Sequence, residues 1–155
     1  MRIATIIALV AAHCIAAVTP DPPSDDWRAE MLVLVNSVRA AASQPPLKLD
    51  DQANVMAQRH SEYQASMDRM THDDALGSLG DRATRLDIRW SALAENVAVG
   101  SQTVKDTMAM WIASPHHYAN IVGQYSLVGF GRAASNMTDS RESIYWTQDF
   151  IQPQA

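Results

Sequence analysis

The stretch Trp111–Gly123, WIASPHHYANIVG, decides how the rest of the chain is read. It continues an apolar, helix-like run, and Pro115 closes that run. A proline has no backbone N–H to donate and steers the residue before it, Ser114, away from helical angles, so the helix is predicted to stop there. Two adjacent imidazoles, His116 and His117, follow at this fixed point, ahead of an Ala-Asn-Ile turn. Histidine is the commonest metal ligand and titrates nearest neutral pH. Neighbouring side chains rarely point the same way, so only one of the pair is expected to face a pocket. We assign that place to His117, with partners from the middle of the chain, and leave His116 structural or exposed.

Working upstream, the helix that carries Trp111 is predicted from about Thr103 to Ala113, with Val104, Thr107, Met108 and Trp111 on one face. Glu95–Ser101 (ENVAVGS) reads as a compact strand ended by Gly100. Asp81–Ile88 predicts a short helix presenting Arg82 and Arg85, whose commoner use is in surface ion pairs. A polar loop, Thr71–Gly80, holds His72, Asp73 and Asp74, and loop carboxylates are usually solvated. Before it, a helix capped by Asp50 or Asp51 runs to near Met70, with Ala53, Met56, Ala57, His60, Tyr63 and Gln64 as its stripe. His60 reads as a half-buried histidine bonded to a carbonyl or carboxylate. A first helix places Trp27, Met31, Leu34, Val35 and Val38 on one side and ends at Pro45-Pro46, followed by an extended Leu47–Asp50.

Downstream, two strands are predicted. Leu127–Ala134 carries Gly129 and Gly131, where another backbone or ring can approach closely. Ser143–Ile151 is rich in β-branched and aromatic residues. The polar hairpin loop between them contains Asn136-Met137-Thr138, a glycosylation sequon. Trp111 and Trp146 are expected as core anchors, and Met56, Met67, Met70, Met108 and Met110 as core filler. Helices first, then strands with an interposed helix, predict an α+β fold with helices covering an antiparallel sheet.

The length of 155 residues suits one domain. Residues 1–17 have the pattern of a secretory signal peptide: Arg2, an apolar run from Ile3 to Val10, and small residues at Ala16 and Ala17. Residues 18–26, Pro- and Asp-rich, read as a short linker. The single cysteine, Cys14, leaves with the signal, so no disulfide, Cys nucleophile or thiolate metal site is expected in the mature chain. Without Arg2, 11 basic residues face 17 acidic ones, a net charge of −6 that opposes nucleic-acid binding. No transmembrane segment is expected after signal removal, and no GxSxG elbow marks a serine hydrolase.

Several of these pieces occur in a telling order. His72 lies in its loop; Ala94-Glu95-Asn96-Val97-Ala98 opens a strand; Trp111-x-x-Ser114-Pro115-x-His117-x-Ala119-Asn120-Ile121 follows; Tyr145-Trp146-Thr147-Gln148-Asp149-Phe150 ends the series. Together with VNSVRAAASQPPLKLD (Val35–Asp50), this resembles the CAP superfamily of cysteine-rich secretory, antigen 5 and pathogenesis-related 1 proteins, or SCP domains, in a cysteine-free, bacterial-type form. The resemblance covers residues 27–151 and leaves 152–155 as a tail.

The resemblance implies a three-layer α-β-α sandwich with a central cleft. It places His72, Glu95 and His117 there as a triad able to hold Zn²⁺ or another divalent metal. Asn96, Ser114 and Tyr118 are implied as secondary lining. Ser114 stands where many eukaryotic members carry a second glutamate, so no obvious general base remains beside a metal-bound water. Ala94 replaces the usual glycine. The residues by themselves leave room for another role, a hydrogen-bond network tying the sheet to its helices. The implied function is that of a secreted, non-catalytic binding module for a lipid, sterol, cell-wall or protein ligand. Its alternatives are a metal-assisted hydrolase using the triad, and a purely structural envelope protein.

Overall fold

Nine elements succeed one another in the computed structural model, which describes residues 26–135 and 143–155. The signal peptide, the Asn136 sequon and all but Asp26 of the linker fall outside the described residues. Helix α1 (Asp26–Ala41) ends short of the prolines, because Ser43 takes a left-handed φ of 57° and turns the chain first. A two-residue strand, β1 (Lys48–Leu49), leads into α2 (Asp51–Ser66). The Asp50 carboxylate caps α2 by accepting from the Ala53 amide at 2.8 Å. This helix stops before Met70, with Asp68 at φ 46° just beyond it.

Helix α3 (Leu79–Arg85) starts two residues earlier than predicted, because Ser78 and Asp81 form a reciprocal capping box. Strand β2 (Trp90–Val99) also starts earlier, five residues ahead of Glu95. Its Trp-Ser-Ala-Leu-Ala segment has no strong strand preference; pairing along nearly the whole of the last strand holds it extended. Thr103 caps α4 (Val104–Ala113), which ends at an extended Ser114 as predicted. Beyond it the expectation needs correction. Pro115 is the first residue of a second helix, α5 (Pro115–Ile121), and Ala119-Asn120-Ile121 is its last turn. The first amides of any helix lack intrahelical partners, so proline costs nothing there.

Strands β3 (Leu127–Ala134) and β4 (Ile144–Pro153) complete a four-stranded sheet in the order β1-β3-β4-β2. The last strand therefore extends two residues into the predicted tail. The sheet is mixed rather than wholly antiparallel: β1 runs parallel to β3, while β3, β4 and β2 alternate in direction. The long chain between β1 and β3 supplies the crossover that a parallel pair needs.

Strand β4, central and paired on both sides, sorts the layers. Ile144, Trp146 and Phe150 face a core built with α1, α4 and α5 through Met31, Val35, Met108, Trp111 and Ile121. Ile151 faces the opposite core, with Ala53 and Met56 of α2 and Ala83 of α3. Side chains alternate along a strand, so Thr147 and Asp149 share the α2 face with Ile151. Thr147 accepts a hydrogen bond there from Ser61 at 2.9 Å. Gly129 and Gly131 lie beside them in register, and a Cβ on either would run into the α2 backbone at Ala53 or Ala57. The result is an α+β three-layer sandwich, and the glycines are what let α2 lie directly on the sheet.

Candidate functional site

Glu95 is the centre of the site. Strand register sets it beside Asp149, which in turn sits beside Gly129, so the three form one row beneath α2. The Glu95 side chain is only 4% exposed, yet both of its oxygens are engaged. His72 Nδ1 donates to Oε1 at 2.8 Å, and Arg82 Nη2 donates to Oε2 at 2.6 Å. His60 brings Nε2 to 3.7 Å from the same Oε2.

Three of these placements differ from the sequence reading. Arg82 is not a surface ion-pair residue; it is buried on α3 and points inward to Glu95. His60 is fully buried rather than half-buried, with Nδ1 2.7 Å from Asp74 Oδ2 and Nε2 2.9 Å from the Thr71 carbonyl. Asp74 is therefore no solvated loop carboxylate: it holds His60 and accepts from the Leu76 amide, fixing the loop that carries His72. Asp73 and Arg85 stay exposed.

The electrostatics follow from this crowding. Burial alone would raise Glu95, but the His72 hydrogen bond and the cationic charge of Arg82 outweigh it and hold the carboxyl below its ordinary range. The same hydrogen bond raises His72 against partial burial, favouring an imidazolium. Asp149 has no such support. It is fully buried, neither oxygen has a hydrogen-bond partner among the described residues, and burial with the neighbouring Glu95 charge pushes it well above the usual carboxylate range. Asp149 is the residue that sequence reasoning missed most completely. In the sequence it is one residue of the terminal Tyr145–Phe150 motif, and nothing local marks its carboxyl; register alone places it beside Glu95.

His117 reaches the site from the other side of β2, on α5. Strand β2 is an edge strand, and its open carbonyls at positions 95 and 97 need partners. Trp111 Nε1 donates to the Val97 carbonyl at 3.1 Å, and Asn120 Nδ2 donates to the Glu95 carbonyl at 3.3 Å. Asn96, fully buried, donates to the His117 carbonyl at 3.1 Å and accepts from Asn120 at 2.8 Å. Thus the Trp and Asn of the WIASPHHYANIVG stretch clip two helices onto the sheet edge, and Asn96 acts as a brace within that clip.

The His117 ring makes no hydrogen bond to the described residues. Burial, then the positive charge of His72, lower its pKa and favour the neutral imidazole. It borders an apolar hollow of about 310 Å³ together with Met70, Met110, Trp111, Ser114 and Val99. Met70 and Met110 are about half exposed here, as is Met67 elsewhere, so these three methionines are not core filler. Of the five expected as core filler, Met56 and Met108 alone are buried. Ser114 lines the hollow, whereas Tyr118, 36% exposed, and His116 do not.

As a set of three metal ligands, His72, Glu95 and His117 do not fit this arrangement. His72 Nδ1 and both Glu95 oxygens are committed to internal hydrogen bonds, and the Arg82 cation stands against the carboxylate. Among the described residues, no group of three or more His, Cys, Asp or Glu side chains is arranged to hold a metal ion. The nitrogens that remain open are Nε2 of His72 and the ring of His117.

A sheet held between helical layers, with histidines and a glutamate gathered at its edge strand, defines the class of SCP-domain folds. The profile of the Cysteine-rich secretory protein family (CAP) matches residues 32–150, and the chain belongs to that family. The chain is 26% identical over 127 residues to the uncharacterized protein YkwD of Bacillus subtilis, covering 81% of this chain and 47% of that protein. It spans about half the length of this curated relative. An extracellular SCP-domain protein from Bacillus anthracis superposes with a TM-score of 0.69 at 27% identity, over 80% of this chain and 39% of that one. An outer surface protein from Borrelia burgdorferi gives a TM-score of 0.73 at 15% identity, over 84% of this chain and 95% of that one, and shows the shared fold. No helix among the described residues is long and apolar enough to cross a membrane.

Proposed function

We propose that this chain is an exported CAP-domain binding module, non-catalytic, whose ligand sits in the cleft at the β2 edge. The observation that carries this reading is the pairing of an apolar hollow beside His117 with a glutamate whose two oxygens are already bonded. A carboxylate in that state is poorly placed to take a proton from water, whereas an apolar recess binds by desolvation. The lining favours a lipid or sterol over a sugar chain, with His117 and Ser114 as the polar groups that would orient its head. Extracellular and outer-surface relatives, and the signal-like residues 1–17, support export.

The test is a binding screen of the mature chain against a sterol, phospholipid vesicles and a solubilised cell-wall fragment. Saturable binding of the sterol or lipid is expected, reduced roughly tenfold by Met110→Asp, which puts a charge into the recess at an exposed position. Failure of all three ligand classes to bind saturably would sink the reading.

A metal-assisted hydrolase is the second reading, favoured by the two open imidazoles, His72 and His117. It requires stoichiometric zinc or other divalent-metal binding in calorimetry that is lost in both His72→Ala and His117→Ala, with circular dichroism unchanged. Metal-dependent turnover abolished in the same variants would then establish it.

A further inference from the structure

No cysteine lies among the described residues, so their sulfur chemistry falls to six methionines. These divide sharply by environment. Met31, Met56 and Met108 are at most 2% exposed. Met31 and Met108 are shielded further, because Gln148 Nε2 donates to both sulfurs, at 3.5 and 3.3 Å. Met67, Met70 and Met110 are 54%, 51% and 43% exposed, and no such donor reaches their sulfurs among the described residues. An oxidant in solution therefore meets the second group and not the first.

Met70 and Met110 differ from Met67 in what they line. They come from the loop after α2 and from α4, and both border the hollow of about 310 Å³ beside His117. Val97, Ala98, Val99 and Trp111 make most of its remaining wall apolar, and Ser114 and His117 are the polar side chains there. The Ser114 hydroxyl makes no capping bond to α5, and the His117 ring makes no hydrogen bond to the described residues. Each keeps an open donor, since a hydroxyl carries one and an imidazole carries at least one in either protonation state. Two oxidisable sulfurs and two open donors thus share one otherwise apolar hollow. A sulfoxide oxygen is a strong acceptor, and Met110 stands four residues before Ser114, about one helical turn away.

We propose that Met70 and Met110 form a peroxide-modified site that switches this hollow from apolar to polar. A lone pair of each thioether sulfur attacks one oxygen of hydrogen peroxide, and the O–O bond breaks. The hydroxide set free takes the proton of the transferred hydroxyl and leaves as water. Each sulfur is oxidised by two electrons to the sulfoxide, and the peroxide is reduced. Ser114 and His117 then hold the new oxygens, which draws water into the recess and closes it to apolar ligands. The closure rests on the hollow being the apolar binding site proposed for this domain; the selective oxidation does not.

Hydrogen peroxide is the oxidant for the test, and N-phenyl-1-naphthylamine, neutral and fluorescent in apolar sites, is the probe ligand. Peptide mass mapping of the folded mature chain over time should show Met67, Met70 and Met110 oxidised roughly tenfold faster than Met31, Met56 and Met108. Affinity for the naphthylamine should fall roughly tenfold as Met70 and Met110 convert, with circular dichroism unchanged. The double variant Met70→Leu, Met110→Leu keeps the apolar wall without the sulfurs, so its affinity should survive peroxide. Met67→Leu should lose affinity as the parent does. Equal oxidation rates at all six methionines, unchanged affinity in the oxidised parent, or an equal loss in the double variant would overturn the site. A parent that does not bind the naphthylamine before treatment would sink the reading of the hollow as an apolar site, and the switch with it.

Discussion

At the residue scale, the site is a cluster of buried charge in which position rather than residue type assigns the roles. Glu95 and Asp149 are chemically alike and adjacent, but Arg82 and His72 hold only Glu95 as a carboxylate. Asp149 is left to fold as the neutral acid. A carboxyl whose folded pKa is raised binds more protons folded than unfolded, so it lowers stability as pH rises above its unfolded pKa, about 3.9. Asp149→Asn removes that titration. The stability difference between the variant and the parent should therefore shift in favour of the variant as pH is raised from 4 towards 7, by at most about 1.4 kcal/mol per pH unit. Urea unfolding across that range measures it, and a pH-independent difference would refute the neutral-acid assignment. His72 has the opposite partner logic: its raised pKa means the Glu95 contact stabilises below an unfolded pKa of about 6.5 and is lost as pH climbs through the folded value.

Legibility in the sequence differed sharply among these residues. His72, Glu95 and His117 stood out through a motif order, and the structure sets the first two in contact. Arg82 and Asp149 carried no local signal, because burial of a charge depends on which neighbours the topology supplies. The pattern around Arg82 reads as an exposed helix turn, and only the placement of α3 against β2 turns it inward.

At the element scale, the α4–Pro115–α5 corner shows how one local rule serves two outcomes. Proline ended α4 as expected and then began α5, because the constraint that forbids it inside a helix is harmless at the first position. The corner matters because Trp111 and Asn120, on its two arms, close the free edge of β2. The α2–sheet contact rests on a different device, the missing side chains at Gly129 and Gly131. Gly131→Val would drive a branched side chain into the Ala57 carbonyl, which belongs to backbone and cannot swing aside. A loss of about 3 kcal/mol or more in unfolding free energy is expected, at the upper end of overpacking costs. A loss below about 1 kcal/mol in chemical denaturation would show that α2 can lift off the sheet.

At the scale of the whole molecule, Arg39 ties together segments far apart in the chain. From α1 it donates to the carbonyls of Pro45, Ile121, Gly123 and Tyr125, at 2.8 to 3.2 Å, and is 1% exposed. Burial lowers its pKa from the ordinary arginine value. Four main-chain acceptors, one between α1 and β1 and three from the end of α5 to the approach to β3, thus depend on one side chain. Arg39→Met, similar in length, should cost about 3 kcal/mol or more by leaving them unpaired, and Arg39→Lys should recover part of that loss. Equal denaturation midpoints for Arg39→Met and the parent would remove this role.

The sequence by itself determined the order and type of most elements, the helical stripes of α1, α2 and α4, the two late strands, the glycines that admit a close approach, and the family. These are local or motif-borne properties: periodicity, capping and backbone restriction act within a few residues. Tertiary structure alone decided that β1 pairs parallel, that β2 extends back to Trp90, that Arg82 and Asp149 are buried beside Glu95, and that Met70 and Met110 line a recess. Each of these depends on contacts between residues distant in the chain, where pairing and burial outweigh local preference.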